Sequence, residues 1–162
     1  MTLLQIILII FIIPITILNI RFLTSGRKTK DITRRKYVHL LAILSDNEEK
    51  LGGASNYTAA KYVSDSGNNY LICKSKDKDI GALVTEENFF FFSSLSSVNC
   101  EIIIEKENDK KFKSITAIIT SPEYIDSLNI VLAENAHRYK SSIGHFLLET
   151  AEDFKNELTK KN

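Results

Sequence analysis

Tryptophan is missing from this 162-residue chain, methionine occurs once, and there are only two cysteines, two prolines and six glycines. Cys73 and Cys100 are too few for a disulfide framework and have no metal-ligand spacing. Both fall in apolar runs, where a thiol is structural and lacks the electropositive setting that would make it a nucleophile. Gly26, Gly52, Gly53, Gly67, Gly81 and Gly144 match neither G-x-x-x-x-G-K-[ST] nor G-x-G-x-x-G, which excludes a glycine-rich phosphate cradle. G-x-S-x-G and H-E-x-x-H are absent too. An excess of one charge is also lacking: 21 Lys and Arg stand against 20 Asp and Glu, a formal charge of +1. A dedicated nucleic-acid binder would carry a basic patch on its folded domain, so nucleic acid is not an expected partner. No catalytic residue, cofactor, metal or small-molecule substrate is indicated.

What the chain does have is one oily run. From Leu3 to Ile20, fourteen of eighteen residues are Leu, Ile or Phe, and the first charged side chain is Arg21. As a helix this run is roughly 27 Å long at about 1.5 Å per residue, close to the ~30 Å of a bilayer core. The apolar residues lie all round the cylinder, unlike a core helix, and neither a basic start nor a small-residue cleavage site marks a signal peptide. Residues 1–20 are therefore expected to form a transmembrane anchor, with Pro14 tolerated inside it. Seven basic residues follow, Arg21, Arg27, Lys28, Lys30, Arg34, Arg35 and Lys36, against the single acid Asp31. By the positive-inside rule this collar stays in the cytoplasm, where it could also grip anionic lipid headgroups. The expected location is a bacterial-type inner membrane, single-pass, amino terminus outside and carboxyl-terminal domain cytoplasmic.

Residues 21–67 are expected to be a juxtamembrane segment. Tyr37, Leu40, Leu41 and Leu44 recur at helical spacing, predicting a helix from about Thr33 to Leu51 that stops at Gly52-Gly53. Thr58 to Val63 has a short helical pattern, with a loop over Ser64 to Asn69. From Tyr70 the period changes to two. Strands are predicted at 70–74, 80–85, 89–92, 98–105, 113–120 and 128–133. In the Phe89, Phe90, Phe91, Phe92 run alternate rings must lie on opposite faces, so one pair fills the core and the other is covered by the juxtamembrane helix, by a second protomer, or by nothing, which leaves an exposed sticky patch. Glu101 and Glu105 read as solvated strand surface. His39 and His137 read as solvated and His145 as a boundary residue. Ile143, Phe146, Leu147, Phe154 and Leu158, with Ala151, form the apolar stripe of a final helix capped by Ser141 or Ser142.

The fold class is thus α+β: a transmembrane helix, a juxtamembrane helix, and a five- to seven-stranded antiparallel meander closed by an amphipathic helix. From residue 68 to 162 this element order resembles the bacterial pleckstrin-homology-like domains, behind a single anchor. The resemblance implies an open barrel plugged by its last helix, with Phe146 or Phe154 in the place of the tryptophan that eukaryotic members usually carry. It also implies that the loop with Lys74, Lys76 and Lys78 could meet lipid headgroups, although Asp77 and Asp79 alternate with these lysines. The expected function is a non-enzymatic binding or scaffolding module that recognises a protein partner or itself, through a sheet edge or the Phe89–Phe92 surface. The alternatives are an anionic-lipid headgroup sensor and a thiol- or histidine-dependent enzyme.

Overall fold

A computed structural model of the chain describes residues 34–159. The described residues from Lys36 onward form one compact unit. Within it lie two helices and eight strands among the described residues, arranged as two four-stranded antiparallel sheets.

Helix α1 covers residues 34–45. It ends where Asn47 turns its side-chain amide back onto the carbonyl oxygen of Ile43, at 2.9 Å. A 3-10 turn, Glu48–Leu51, follows, and Gly52 closes it at φ 93°, a left-handed conformation that favours glycine. The single helix expected from Thr33 to Leu51 is therefore broken in two.

The first sheet runs in chain order: β1 Tyr57–Val63, β2 Asn69–Ser75, β3 Gly81–Val84, β4 Phe89–Phe92. The alanines of β1 gave it a helical reading. Its pairing with β2 over all seven residues, Tyr57 opposite Ser75 through Val63 opposite Asn69, overrides that preference. Gly81 is needed where β3 starts, since a Cβ there would lie 2.7 Å from the Cys73 carbonyl oxygen and 2.8 Å from Leu95.

The second sheet contains β5 Asn99–Asn108, β6 Lys111–Thr120, β7 Leu128–Ala133 and the short β8 His137–Arg138, which pairs with the start of β6. The strands do not form one meander curled into an open barrel, and that expectation is corrected. The cause lies between β4 and β5. There the Leu95 N–H donates to the Asp79 carbonyl oxygen at 3.0 Å, and the Ser94 hydroxyl and Ser96 N–H donate to the Asp79 carboxylate at 2.8 and 3.1 Å. The connection is held against the β2–β3 loop, and β5 begins a new sheet instead of pairing with β4.

Helix α2, Ser142–Thr159, is capped by Ser141, whose hydroxyl accepts from the Gly144 N–H at 3.0 Å. It buries Leu147, Ala151, Phe154 and Leu158 in the main core with Tyr70, Ile72, Leu83, Phe92, Phe112 and Ile115. Ile143 and Phe146, expected on the same stripe, are 61% and 63% exposed. A second apolar cluster joins Leu40, Leu44 and Leu51 to Leu71, Cys73, Ala82 and Val84 on the opposite face of the first sheet. Phe90 and Phe92 belong to the main core, Phe89 and Phe91 to the second, so α1 supplies the cover that the alternate rings require.

The expected single-pass inner-membrane placement is also corrected. Among the described residues no helix is long and apolar enough to cross a membrane. The predicted anchor at residues 1–20 lies outside the described residues, as do Arg21, Arg27, Lys28 and Lys30.

Candidate functional site

A cleft of about 410 Å³ opens where the start of β2 and the β3–β4 turn face β7. One wall is Asn69 and Tyr70 with the turn Thr85 to Asn88, and the other is Leu128 to Val131. Each wall is fixed by short polar contacts. The Thr85 hydroxyl accepts the N–H groups of Glu87 and Asn88 at 3.3 and 3.0 Å, which shapes the turn. Glu86 reaches back to β2, where its carboxylate accepts the Asn69 N–H at 3.1 Å and meets the Lys36 ammonium, also at 3.1 Å. Burial pushes the Glu86 carboxyl up, but the Asn69 and Lys36 donors outweigh it and hold the group below the usual carboxylate range.

The two walls are tied together at one end. The Tyr70 hydroxyl donates to the Val131 carbonyl oxygen at 3.1 Å, and the Asp65 N–H donates to Leu132 at 3.3 Å. The Asp65 carboxylate accepts the N–H groups of Glu134 and Asn135, at 2.9 and 3.0 Å, and lies 3.0 Å from the His137 ring nitrogen. His137 is thus half-buried and paired, not the solvated loop residue that its sequence suggested. Beyond this tie, β7 is an edge strand: it pairs with β6 on one side, and no other strand among the described residues pairs with it.

The sequence-predicted site residues are not brought together. Lys74 is buried, with its ammonium 3.3 Å from Glu157 on α2; Lys76 donates to the Ser55 carbonyl oxygen at 2.7 Å; Lys78 is exposed. The three lysines therefore do not converge on one ligand. Arg34 and Arg35 are exposed, while Lys36 is committed to Glu86. Of the four phenylalanines, Phe92 is buried and the others are half-buried. Cys73 and Cys100 are both buried, and burial pushes their thiols up to about 12 and about 11. His39 lies 3.1 Å from the Glu86 carbonyl oxygen and His145 is 3.4 Å from Glu149; both are exposed. No group of three metal-ligating side chains occurs among the described residues.

Residue-by-residue reading of the sequence missed the cleft. Glu86-Glu87-Asn88 was legible as a turn and 128–133 as a strand, but nothing local shows that the two face each other. No family model matches the chain, and no characterised protein or solved structure does so either.

Proposed function

We propose that this chain is a non-catalytic binding module that takes an extended segment of another polypeptide along the edge of β7 from Leu128 to Ile130, short of the tie at Val131 and Leu132. One observation carries the reading: β7 is a strand without charged side chains whose unpaired edge lines a cleft large enough for a few residues of a peptide.

The other strand edges are less suited. At β4, a strand of only four residues, the Tyr124 hydroxyl donates to the Phe91 carbonyl oxygen at 3.0 Å, whereas the contacts on β7 from Tyr70 and Asp65 fall on Val131 and Leu132, past Leu128 to Ile130. On β5, Glu101, Glu105, Lys106 and Glu107 put charge along the strand, a pattern that discourages pairing. At β1, exposed Lys61 places a charge on the strand. The cleft itself holds amides, hydroxyls and carboxylates, and the raised thiols of Cys73 and Cys100 oppose nucleophilic chemistry elsewhere.

The test is a random heptapeptide display selected on the purified full-length chain, with amide NMR of the bound complexes. The expected outcome is enriched peptides that compete with one another and move the signals of Ser127 to Val131. Enrichment that perturbs only other surfaces, or none at all, overturns the reading. Sedimentation across a concentration range shows whether the segment can come from a second copy of this chain.

A further inference from the structure

The β7 cleft has an acidic wall and one acceptor left over. Glu86, Glu87 and Glu134 line it, and among the described residues the only cation paired to any of them is Lys36, on Glu86. Asn69 also lines the cleft and is 0% exposed. Its amide nitrogen donates to the Gly67 carbonyl oxygen at 3.2 Å and lies 3.5 Å from the Glu86 carboxylate. Those two acceptors fix the orientation of the amide, because the flipped form would set an oxygen against two oxygens. The Asn69 carbonyl oxygen, Oδ1, then has no hydrogen-bond partner among the described residues. A buried acceptor without a donor is costly, and a ligand group that brings N–H to it recovers that loss.

We infer that the cleft selects a basic segment, in which an arginine side chain directs one N–H to the Asn69 carbonyl oxygen and others to the Glu86 and Glu87 carboxylates. The inference rests on the reading of the cleft as a polypeptide site. Arginine fits better than lysine because its planar guanidinium offers five N–H donors in different directions, matching a carbonyl and carboxylates on separate residues. The Asn69 oxygen is screened by its neighbours, so the incoming side chain must displace part of that screen. The three carboxylates draw the cation in, and the orphaned oxygen then distinguishes a donor-bearing side chain from an apolar one of the same length.

The experiment uses two blocked heptapeptides of alternating valine and threonine, one with arginine and one with norleucine at the central position. Both are titrated into the full-length chain and followed by fluorescence anisotropy and by amide NMR of Ser127 to Val131. The arginine peptide is expected to bind about ten-fold tighter. In the double variant Glu87→Gln, Glu134→Gln, and at about 0.5 M salt, that preference is expected to shrink at least about three-fold. Glu87 and Glu134 are exposed, and an unchanged melting temperature shows that the variant is folded. If both peptides move the β7 signals with equal affinity, the basic preference is overturned while the polypeptide reading stands. If neither moves them, both fall. A preference that survives the double variant unchanged overturns the assignment of the carboxylates.

Discussion

Every residue of β2, from Asn69 to Ser75, is buried, whereas β5 has ten residues, of which Cys100 alone is buried and Ile102 half-buried. Both are antiparallel strands, but they hold different places. β2 is central in a sheet with the α1 cluster on one face and the main core on the other. β5 is the edge of a sheet with only one face in the core. The difference shows in composition: β2 carries Leu71, Ile72 and Cys73 in succession, and β5 alternates apolar residues with Asn99, Glu101 and Glu105. A sheet sealed on both faces reads as a continuous apolar run, and one wet on its outer face reads as an alternation.

The largest test of this contrast is truncation. Phe92 is fully buried in the main core, and Phe92→Ala should cost about 3–5 kcal/mol in a denaturant titration. Ile103, 43% exposed on the outer face of the second sheet, should cost less than about 1 kcal/mol when cut to alanine. Leu44→Ala decides whether α1 closes a genuine second core. Leu44 is 3% exposed between α1 and the first sheet, so a loss of about 2–5 kcal/mol is expected. A value near that of Ile103→Ala would show that α1 lies loosely on the sheet, leaving Phe89 and Phe91 available to a partner after all.

The same contrast explains which parts of the fold were legible. Six strands are legible to within three residues at each end, because an apolar run or an apolar alternation is local information. β1 was misread because Ala59, Ala60 and Lys61 favour a helix, and only β2 alongside makes them a strand. The division into two sheets was hidden because it depends on Asp79 holding Leu95 and Ser96, sixteen and seventeen residues further on. On α2, Ile143 and Phe146 match the periodicity yet are exposed, whereas Leu147 and Phe154 are buried. The cleft was least visible. Asn69, Glu86 and Ile130 come from three elements, and no spacing in the chain announces that they meet. The basic collar shows the converse: seven cations in sixteen residues are conspicuous in sequence, but the described portion brings Lys36 to Glu86 and leaves Arg34 and Arg35 in solvent.

A smaller effect is expected where the two sheets are tied. The Asp65 side chain is 8% exposed and links the β1–β2 loop to the chain after β7. Burial pushes its carboxyl up, but donors from Glu134, His137 and Asn135 outweigh that and leave it below the usual aspartate range. A carboxyl depressed in the folded state stabilises fully above its unfolded pKa of about 3.9 and loses that contribution as the pH falls through the folded value. Asp65→Ala should therefore cost about 1–3 kcal/mol near neutral pH. The gap between variant and parent should narrow in acid, below about pH 4. A gap independent of pH would place the loss in packing and not in the carboxylate.

The smallest effect is expected on the wet face of the second sheet. Glu105 accepts from the Lys113 ammonium at 2.9 Å and the Ser114 hydroxyl at 3.1 Å, and these bonds, the lysine first, hold its carboxyl below the usual range. The sign of the linkage is the same as for Asp65: any stabilisation is present above the ordinary glutamate pKa and lost as the pH falls. The setting is opposite, since Glu105 and Lys113 are both in solvent, where screening and the entropy of two long side chains offset the attraction. Glu105→Gln should leave the melting temperature unchanged within error at pH 7 and at pH 4. A drop comparable to that of Asp65→Ala would mean that Glu105 is not in solvent when the protein is in solution. Something would then cover the outer face of β5 and β6, and the asymmetry between the two sheets would belong to the isolated chain and not to its assembled form.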